Sequence, residues 1–183
     1  MCSPDLPIQA QAIPIALTGA DLVGIAQTGT GKTLAFGLPA LTRIADMPRG
    51  KTRMLILTPT RELAVQIHQV LAPVATALNM ATACVYGGVG MEPQAVALRR
   101  GTPIIVACPG RLLDHINRGN ARFDGLSVLV LDEADRMLDM GFLPDIKRVL
   151  AALPAKRQTM MFSATFAPEV SALAANMMVD PQR

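Results

Sequence analysis

Residues 21–33 read Asp-Leu-Val-Gly-Ile-Ala-Gln-Thr-Gly-Thr-Gly-Lys-Thr. The stretch begins as a short apolar run over 22–26, turns through two glycines, and leads into a helix-compatible segment over 34–44. A strand, a glycine turn and a helix in that order make a loop whose backbone N–H groups can wrap phosphate oxygens, because glycine removes the Cβ that would hold an anion away. Lys32 would bring a point charge to the β- and γ-phosphates, and the Thr33 hydroxyl would ligate Mg²⁺. Counting back from Gly31, the position where such loops usually carry their first glycine is Ala26. The candidate nucleotide-binding residues of the loop are therefore Ala26, Gln27, Thr28, Gly29, Thr30, Gly31, Lys32 and Thr33.

Further along, residues 128–135 read Val-Leu-Val-Leu-Asp-Glu-Ala-Asp, a buried-strand pattern that ends in acids. Asp132 would hold the magnesium ion directly or through water. Glu133 would orient or deprotonate an attacking water. Lys32, Asp132 and Glu133 are the candidate catalytic residues, with Thr33 and Asp132 the candidate metal ligands.

Other apolar runs fall at 54–57, 82–85, 104–107 and 159–162, and they are nearly uninterrupted rather than alternating. That pattern implies strands covered on both faces, hence an α/β fold with a mostly parallel central sheet. Between the runs the period changes. Leu63, Ile67, Val70, Leu71 and Val74 follow helical spacing, as do Phe142, Ile146, Val149, Leu150 and Leu153 with Asp145, Lys147 and Arg148 opposite. All ten apolar positions are expected to face the core. In such sheets ligands bind at the carboxyl ends of the strands, and segments 26–33, 58–64, 86–88, 108–111, 132–135 and 163–165 each follow an expected strand.

Taken in order, these blocks resemble the DEAD-box ATP-dependent RNA helicases. Ala-x-Thr-Gly-x-Gly-Lys-Thr and Asp-Glu-Ala-Asp carry the likeness first. Residues 59–64, Pro-Thr-Arg-Glu-Leu-Ala, look like motif Ia, Gly87-Gly88 like the glycine doublet, Pro109-Gly110-Arg111 like motif Ib, and Ser163-Ala164-Thr165 like motif III. The stretch 138–166 is similar to the bacterial RhlE-type branch. The resemblance implies a single RecA-like P-loop lobe over residues 1–183, with ATP and Mg²⁺ as cofactors. It further implies RNA contacts at Pro59, Thr60, Arg61, Gly87, Gly88, Pro109, Gly110 and Arg111, largely through the sugar–phosphate backbone. Asp135, Ser163 and Thr165 would couple the two ligands. A second RecA-like lobe, which supplies an arginine finger in the family, is absent from these residues. Alone, the 183 residues are expected to bind nucleotide, hydrolyse it very slowly and not unwind duplexes.

Pro7-Ile8-Gln9 is similar to the tail of the adenine-reading Q motif, and the Gln9 amide would offer both a donor and an acceptor to adenine. The match is partial. Cys2, Asp5 and Leu6 stand where the family has Tyr, Pro and Thr, and the aromatic that packs on the base would lie before Met1. Nucleotide affinity should fall accordingly, since stacking is worth about 1–3 kcal/mol per base.

Bulk properties agree with these readings without deciding between them. The chain is 51% hydrophobic with a net charge of +3 and a pI near 9.0. Aromatics are only 3%, too few for base stacking to dominate RNA recognition. The long uncharged stretch 63–91 is broken by Gln66, His68, Gln69, Pro73, Asn79 and the glycine doublet, which argues for core and against membrane. Cys2, Cys84 and Cys108 have no metal-ligand spacing; Cys84 and Cys108 read as core residues, and a reducing cytoplasm is expected. His68 and His115 read as structural or solvent-facing. Cys108 precedes Pro109 where the family has Thr, and a thiol is a poor helix cap.

Overall fold

The computed structural model describes residues 7–27 and 31–183. The described residues form six strands and eight helices in strict alternation after the first helix, broken only by a helix pair before the last strand. These are α1 (Pro7–Leu17), β1 (Leu22–Ile25), α2 (Lys32–Ile44), β2 (Met54–Leu57), α3 (Arg61–Ala77), β3 (Thr82–Val85), α4 (Met91–Arg99), β4 (Ile104–Ala107), α5 (Pro109–Asn117), β5 (Val128–Leu131), α6 (Ala134–Asp139), α7 (Leu143–Ala151), β6 (Gln158–Ser163) and α8 (Pro168–Met177). All five strand pairings are parallel, in the order β1-β6-β5-β2-β4-β3.

The uninterrupted apolar runs are explained by two cores, one on each face. Leu55 and Leu57 pack with residues of α4 to α8, whereas Met54 and Ile56 pack with α1, α2 and α3. Successive side chains of a strand point to opposite faces, so a sheet covered twice needs apolar residues at every position. Among the described residues no helix is long and apolar enough to cross a membrane.

Two strand limits differ from the sequence reading. Ala26 lies beyond β1, although its N–H still donates to the Ser163 carbonyl at 2.9 Å. β6 gains a residue at each end, Gln158 and Ser163, both buried. Gln158 is polar, and its Nε2 donates to the carbonyls of Ala16 and Ala20 at 2.8 and 2.9 Å, while its buried Oε1 has no partner among the described residues. Nearby, the buried Asp21 carboxylate accepts the N–H of Thr159 and of Val179, each at 2.8 Å. These bonds fasten β1 to β6 and to the end of the chain.

Candidate functional site

Because every strand runs the same way, the loops that follow them emerge at one edge of the sheet. The order of strands divides that edge. The phosphate-type loop, the 163–165 segment and the acidic 132–135 segment follow the neighbours β1, β6 and β5. The segments at 58–64, 108–111 and 86–88 follow the neighbours β2, β4 and β3.

On the first half, Gly31 caps α2 in the left-handed region at φ 77°, a conformation that glycine adopts without a steric penalty. The helix begins at Lys32, two residues before the expected 34. Lys32 and Thr33 are thus held by helical backbone rather than by a loose loop. Lys32 is 6% exposed, and its Nζ lies 3.1 Å from Asp132 Oδ1 and 3.8 Å from Glu133 Oε1. Both carboxylates are buried. Burial pushes the Asp132 carboxyl above its ordinary value, and the Lys32 ammonium opposes that rise. Glu133 holds φ 54° and ψ 52°, left-handed backbone at a residue with a Cβ. That conformation costs about 1–2 kcal/mol, and it caps α6 while keeping the carboxylate beside Lys32.

Gly31, Lys32, Thr33, Asp132 and Glu133 line one cleft of about 290 Å³ together with Leu63, Gln66, Ile67 and Val70 of α3. Val70 departs from the sequence reading: helical spacing assigned it to the core, but it is 41% exposed and forms cleft wall. Gln9 in α1 donates from Nε2 to the Gly31 carbonyl at 3.3 Å, which brings its amide to the loop's end. Ala26 is half-buried and Gln27 exposed; Thr28, Gly29 and Thr30 lie outside the described residues.

The donor set suits a hard cation. Mg²⁺ takes one or two carboxylates and completes its shell with water and substrate phosphates. The cleft offers two carboxylates and a hydroxyl, all oxygen donors. Among the described residues no cluster of three or more His, Cys, Asp or Glu exists that would hold a metal without help.

The expected coupling link is only partly formed. Thr165 Oγ1 donates to Asp135 Oδ2 at 3.4 Å. Ser163, by contrast, is the last residue of β6, and its buried hydroxyl has no partner among the described residues.

On the second half, Thr60 caps α3 by accepting the Leu63 N–H at 3.3 Å, with Glu62 in the first turn. Pro59 is buried, and Arg61 is exposed with its guanidinium 5.0 Å over the Tyr86 ring. Gly87 and Gly88 are exposed; nothing lies within 4 Å of a Cβ built on Gly87, and Gly88 adopts φ 82°. Pro109 opens α5, Gly110 is half-buried, and Arg111 Nη1 donates to Val89 O at 2.9 Å and to Gln94 Oε1 at 3.2 Å. The structure thus gathers Arg61, Gly87, Gly88 and Arg111 across three neighbouring strand ends.

Cys84 and Cys108 are half-buried, Cys84 packed against the core on one face of the sheet, and burial raises both thiols to about 11. Cys108 is the N-cap of α5 and makes no capping hydrogen bond. Cys108→Thr should therefore stabilise the chain by about 1 kcal/mol. An unchanged or lower midpoint in thermal unfolding would contradict this.

Sequence reasoning also missed three buried polar residues between α4 and α5: Gln94, His115 and Asn120. Of the two readings of His115, the structural one holds: the ring is buried and both its nitrogens are hydrogen-bonded. His68 is half-buried.

An all-parallel sheet with a lysine-headed helix after its first strand and an acidic pair after its fifth defines an α/β protein of the P-loop type. The family profile described as DEAD/DEAH box helicase matches residues 6–173. The chain belongs to that family. It is 48% identical over 180 residues to the ATP-dependent RNA helicase DBP3 of Phaeosphaeria nodorum, covering 97% of this chain and 30% of that one. It is 47% identical to the DEAD-box ATP-dependent RNA helicase 5 of Oryza sativa, covering 96% and 35% respectively. With the DEAD-box ATP-dependent RNA helicase CshA of Geobacillus kaustophilus the identity is 43%, covering 96% and 38%. The chain spans about a third of the length of these relatives.

Proposed function

We propose that these residues are the single ATP-binding, RecA-like lobe of an ATP-dependent RNA helicase. Nucleotide and Mg²⁺ would occupy the β1–β6–β5 half of the sheet edge, and RNA backbone the β2–β4–β3 half. The observation that carries the reading is the buried Lys32–Asp132–Glu133 group at the head of α2. It supplies a cation for phosphate, a ligand for magnesium and a carboxylate for water in one cleft.

In this reading Lys32 holds the β- and γ-phosphates, Thr33 and Asp132 hold the metal, and Glu133 receives the proton of the attacking water. When bound, Mg²⁺ would neutralise charge on the phosphate oxygens. Gln9 reads adenine; its bond to Gly31 O supports this by fixing the amide beside the phosphate loop. Asp135, Ser163 and Thr165 couple the halves, with Asp135 and Thr165 already bonded. Arg61, Arg111 and the backbone N–H groups of Thr60, Gly87, Gly88 and Gly110 take RNA phosphates, with Pro59 and Pro109, which have no N–H, in contact beside them, so sequence preference should be slight. A second lobe of the same kind completes the enzyme, and the 183 residues by themselves hydrolyse ATP very slowly. The similarity of 138–166 supports a place in the RhlE-type branch. Free thiols at Cys84 and Cys108 suit the reducing cytoplasm.

Equilibrium binding of ADP and GDP in the presence of Mg²⁺ tests the nucleotide half. ADP should bind at least about tenfold more tightly, and Gln9→Ala should erase most of that margin, as loss of hydrogen bonds worth about 1–3 kcal/mol implies. Equal affinity for the two nucleotides in the unaltered chain would retire the adenine reading.

A further inference from the structure

Arg111, Gln94, His115, Asn120 and Arg99 form one hydrogen-bonded chain between α4, α5 and the segment after α5. Its middle is closed to solvent: His115 is 0% exposed, Gln94 7% and Asn120 8%. The directions of these bonds follow from donor and acceptor counting. Gln94 Nε2 donates to the Tyr86 carbonyl at 2.9 Å, so its Oε1 accepts from Arg111 Nη1 at 3.2 Å and from His115 Nε2 at 3.1 Å. His115 therefore carries its proton on Nε2 and accepts at Nδ1 from Asn120 Nδ2 at 3.1 Å. Asn120 Oδ1 accepts from Arg99 Nη2 at 2.7 Å. Every middle member is satisfied with a neutral ring. Burial, with the Arg111 cation beside it, holds the histidine below its ordinary pKa.

One end of this chain grips the glycine doublet. Gln94 holds Tyr86 O on one side of Gly87 and Gly88, and Arg111 holds Val89 O on the other. Rotation of the Gln94 amide by half a turn would set its NH₂ against two donors, Arg111 Nη1 and His115 Nε2, and its oxygen against a carbonyl. A buried donor facing a donor is costly, so His115 helps to lock the amide in one orientation.

We propose that His115 is a positioning residue for RNA binding: through Gln94 it fixes Arg111 and the Gly87–Gly88 loop in the arrangement that receives a backbone phosphate. The proposal rests on the RNA reading of the β2–β4–β3 half. It assigns a role to two residues outside the motif blocks of the sequence, His115 and Gln94.

The test is titration of the ¹⁵N-labelled chain with single-stranded oligouridine, with ADP and Mg²⁺ titrated separately. Arg111→Ala should weaken RNA binding on the order of tenfold, as expected for one charge-assisted contact. His115→Phe, which fills the ring's volume without its nitrogens, should weaken it comparably and leave ADP affinity unchanged. The His115→Phe substitution should cost less RNA affinity in the Arg111→Ala background than in the unaltered chain, because only the hold on the loop through Tyr86 O is then left to lose. His115→Gln, which returns an N–H donor, should recover most of the loss. Should His115→Phe fail to fold, Gln94→Met carries the same expectation. An effect of His115→Phe that persists undiminished in the Arg111→Ala background overturns the proposal, as does a parallel loss of ADP binding. Wild-type RNA affinity in both histidine variants, with Arg111→Ala impaired, overturns the proposal alone. An Arg111→Ala variant of unchanged RNA affinity overturns the RNA reading at Arg111 and this proposal with it.

Discussion

Lys32→Ala should lower nucleotide affinity by at least about a hundredfold and destabilise the folded chain by about 3 kcal/mol at neutral pH. Both effects have one origin. The Lys32 ammonium lies within 4 Å of both buried carboxylates, whereas Arg136 reaches Glu133 alone, at 3.5 Å, so removal of Lys32 leaves the buried Asp132 without its cation. The pH dependence separates this cause from simple loss of packing. Asp132 already titrates above its ordinary value because of burial, with Lys32 the main opposing influence. Without Lys32 the folded-state value rises further, above the unfolded value of about 3.9. Between those values the folded chain holds more protons than the unfolded chain, so stability increases as pH falls. Urea unfolding of Lys32→Ala and wild type at pH 8 and pH 5.5 should show the deficit shrinking at the lower pH. A deficit of the same size at both would rule out the uncompensated carboxylate as its cause.

Glu133 supports a second expected result, in which backbone and side chain make opposite contributions. Its left-handed backbone costs about 1–2 kcal/mol relative to glycine, so Glu133→Gly should be more stable than Glu133→Ala by roughly 1 kcal/mol. The carboxylate is expected to matter for the reaction. In a chain that carries both lobes, Glu133→Gln should lower RNA-stimulated ATP hydrolysis by about 10²–10⁴-fold, the usual range for loss of a general base. ADP affinity should change little. If Glu133→Gln hydrolyses ATP at the wild-type rate, another group takes the proton. If Glu133→Gly and Glu133→Ala unfold together, the left-handed backbone stores no strain. A residue that destabilises its own segment while aiming a carboxylate into a cleft is the usual mark of a functional position.

The strands were legible because a doubly covered sheet leaves its trace in uninterrupted apolar runs. Where the reading slipped, a polar residue had found partners that the sequence does not display. The apolar run 159–162 stops short of Gln158, which joins β6 and donates to two carbonyls at and just after the end of α1, more than a hundred residues earlier. That Lys32 and the acids at 132 and 133 sit just past strand ends was legible from spacing. Their energetics were not, because the ion pairs of Lys32 require β5 to lie two strands from β1. Val70 shows the limit of helical periodicity, which identifies an apolar face but not where the neighbouring element ends. The Gln94–His115–Asn120 chain was invisible for a related reason. Its members lie on different elements, and each alone resembles an ordinary helix or loop residue.

The position of β1 bears on how such a chain emerges from the ribosome. β1 is made early, but among the described strands its only neighbour is β6, and Asp21 beside it bonds Thr159 and Val179. β1 therefore has no seat in the sheet until nearly all of these residues have been translated. Such long-range closure is slow and exposes apolar edges while it waits. The acids after β5 and the head of α2 face each other only once β6 lies between β1 and β5, so a ligand of that cleft would stabilise the late steps of folding and not the early ones.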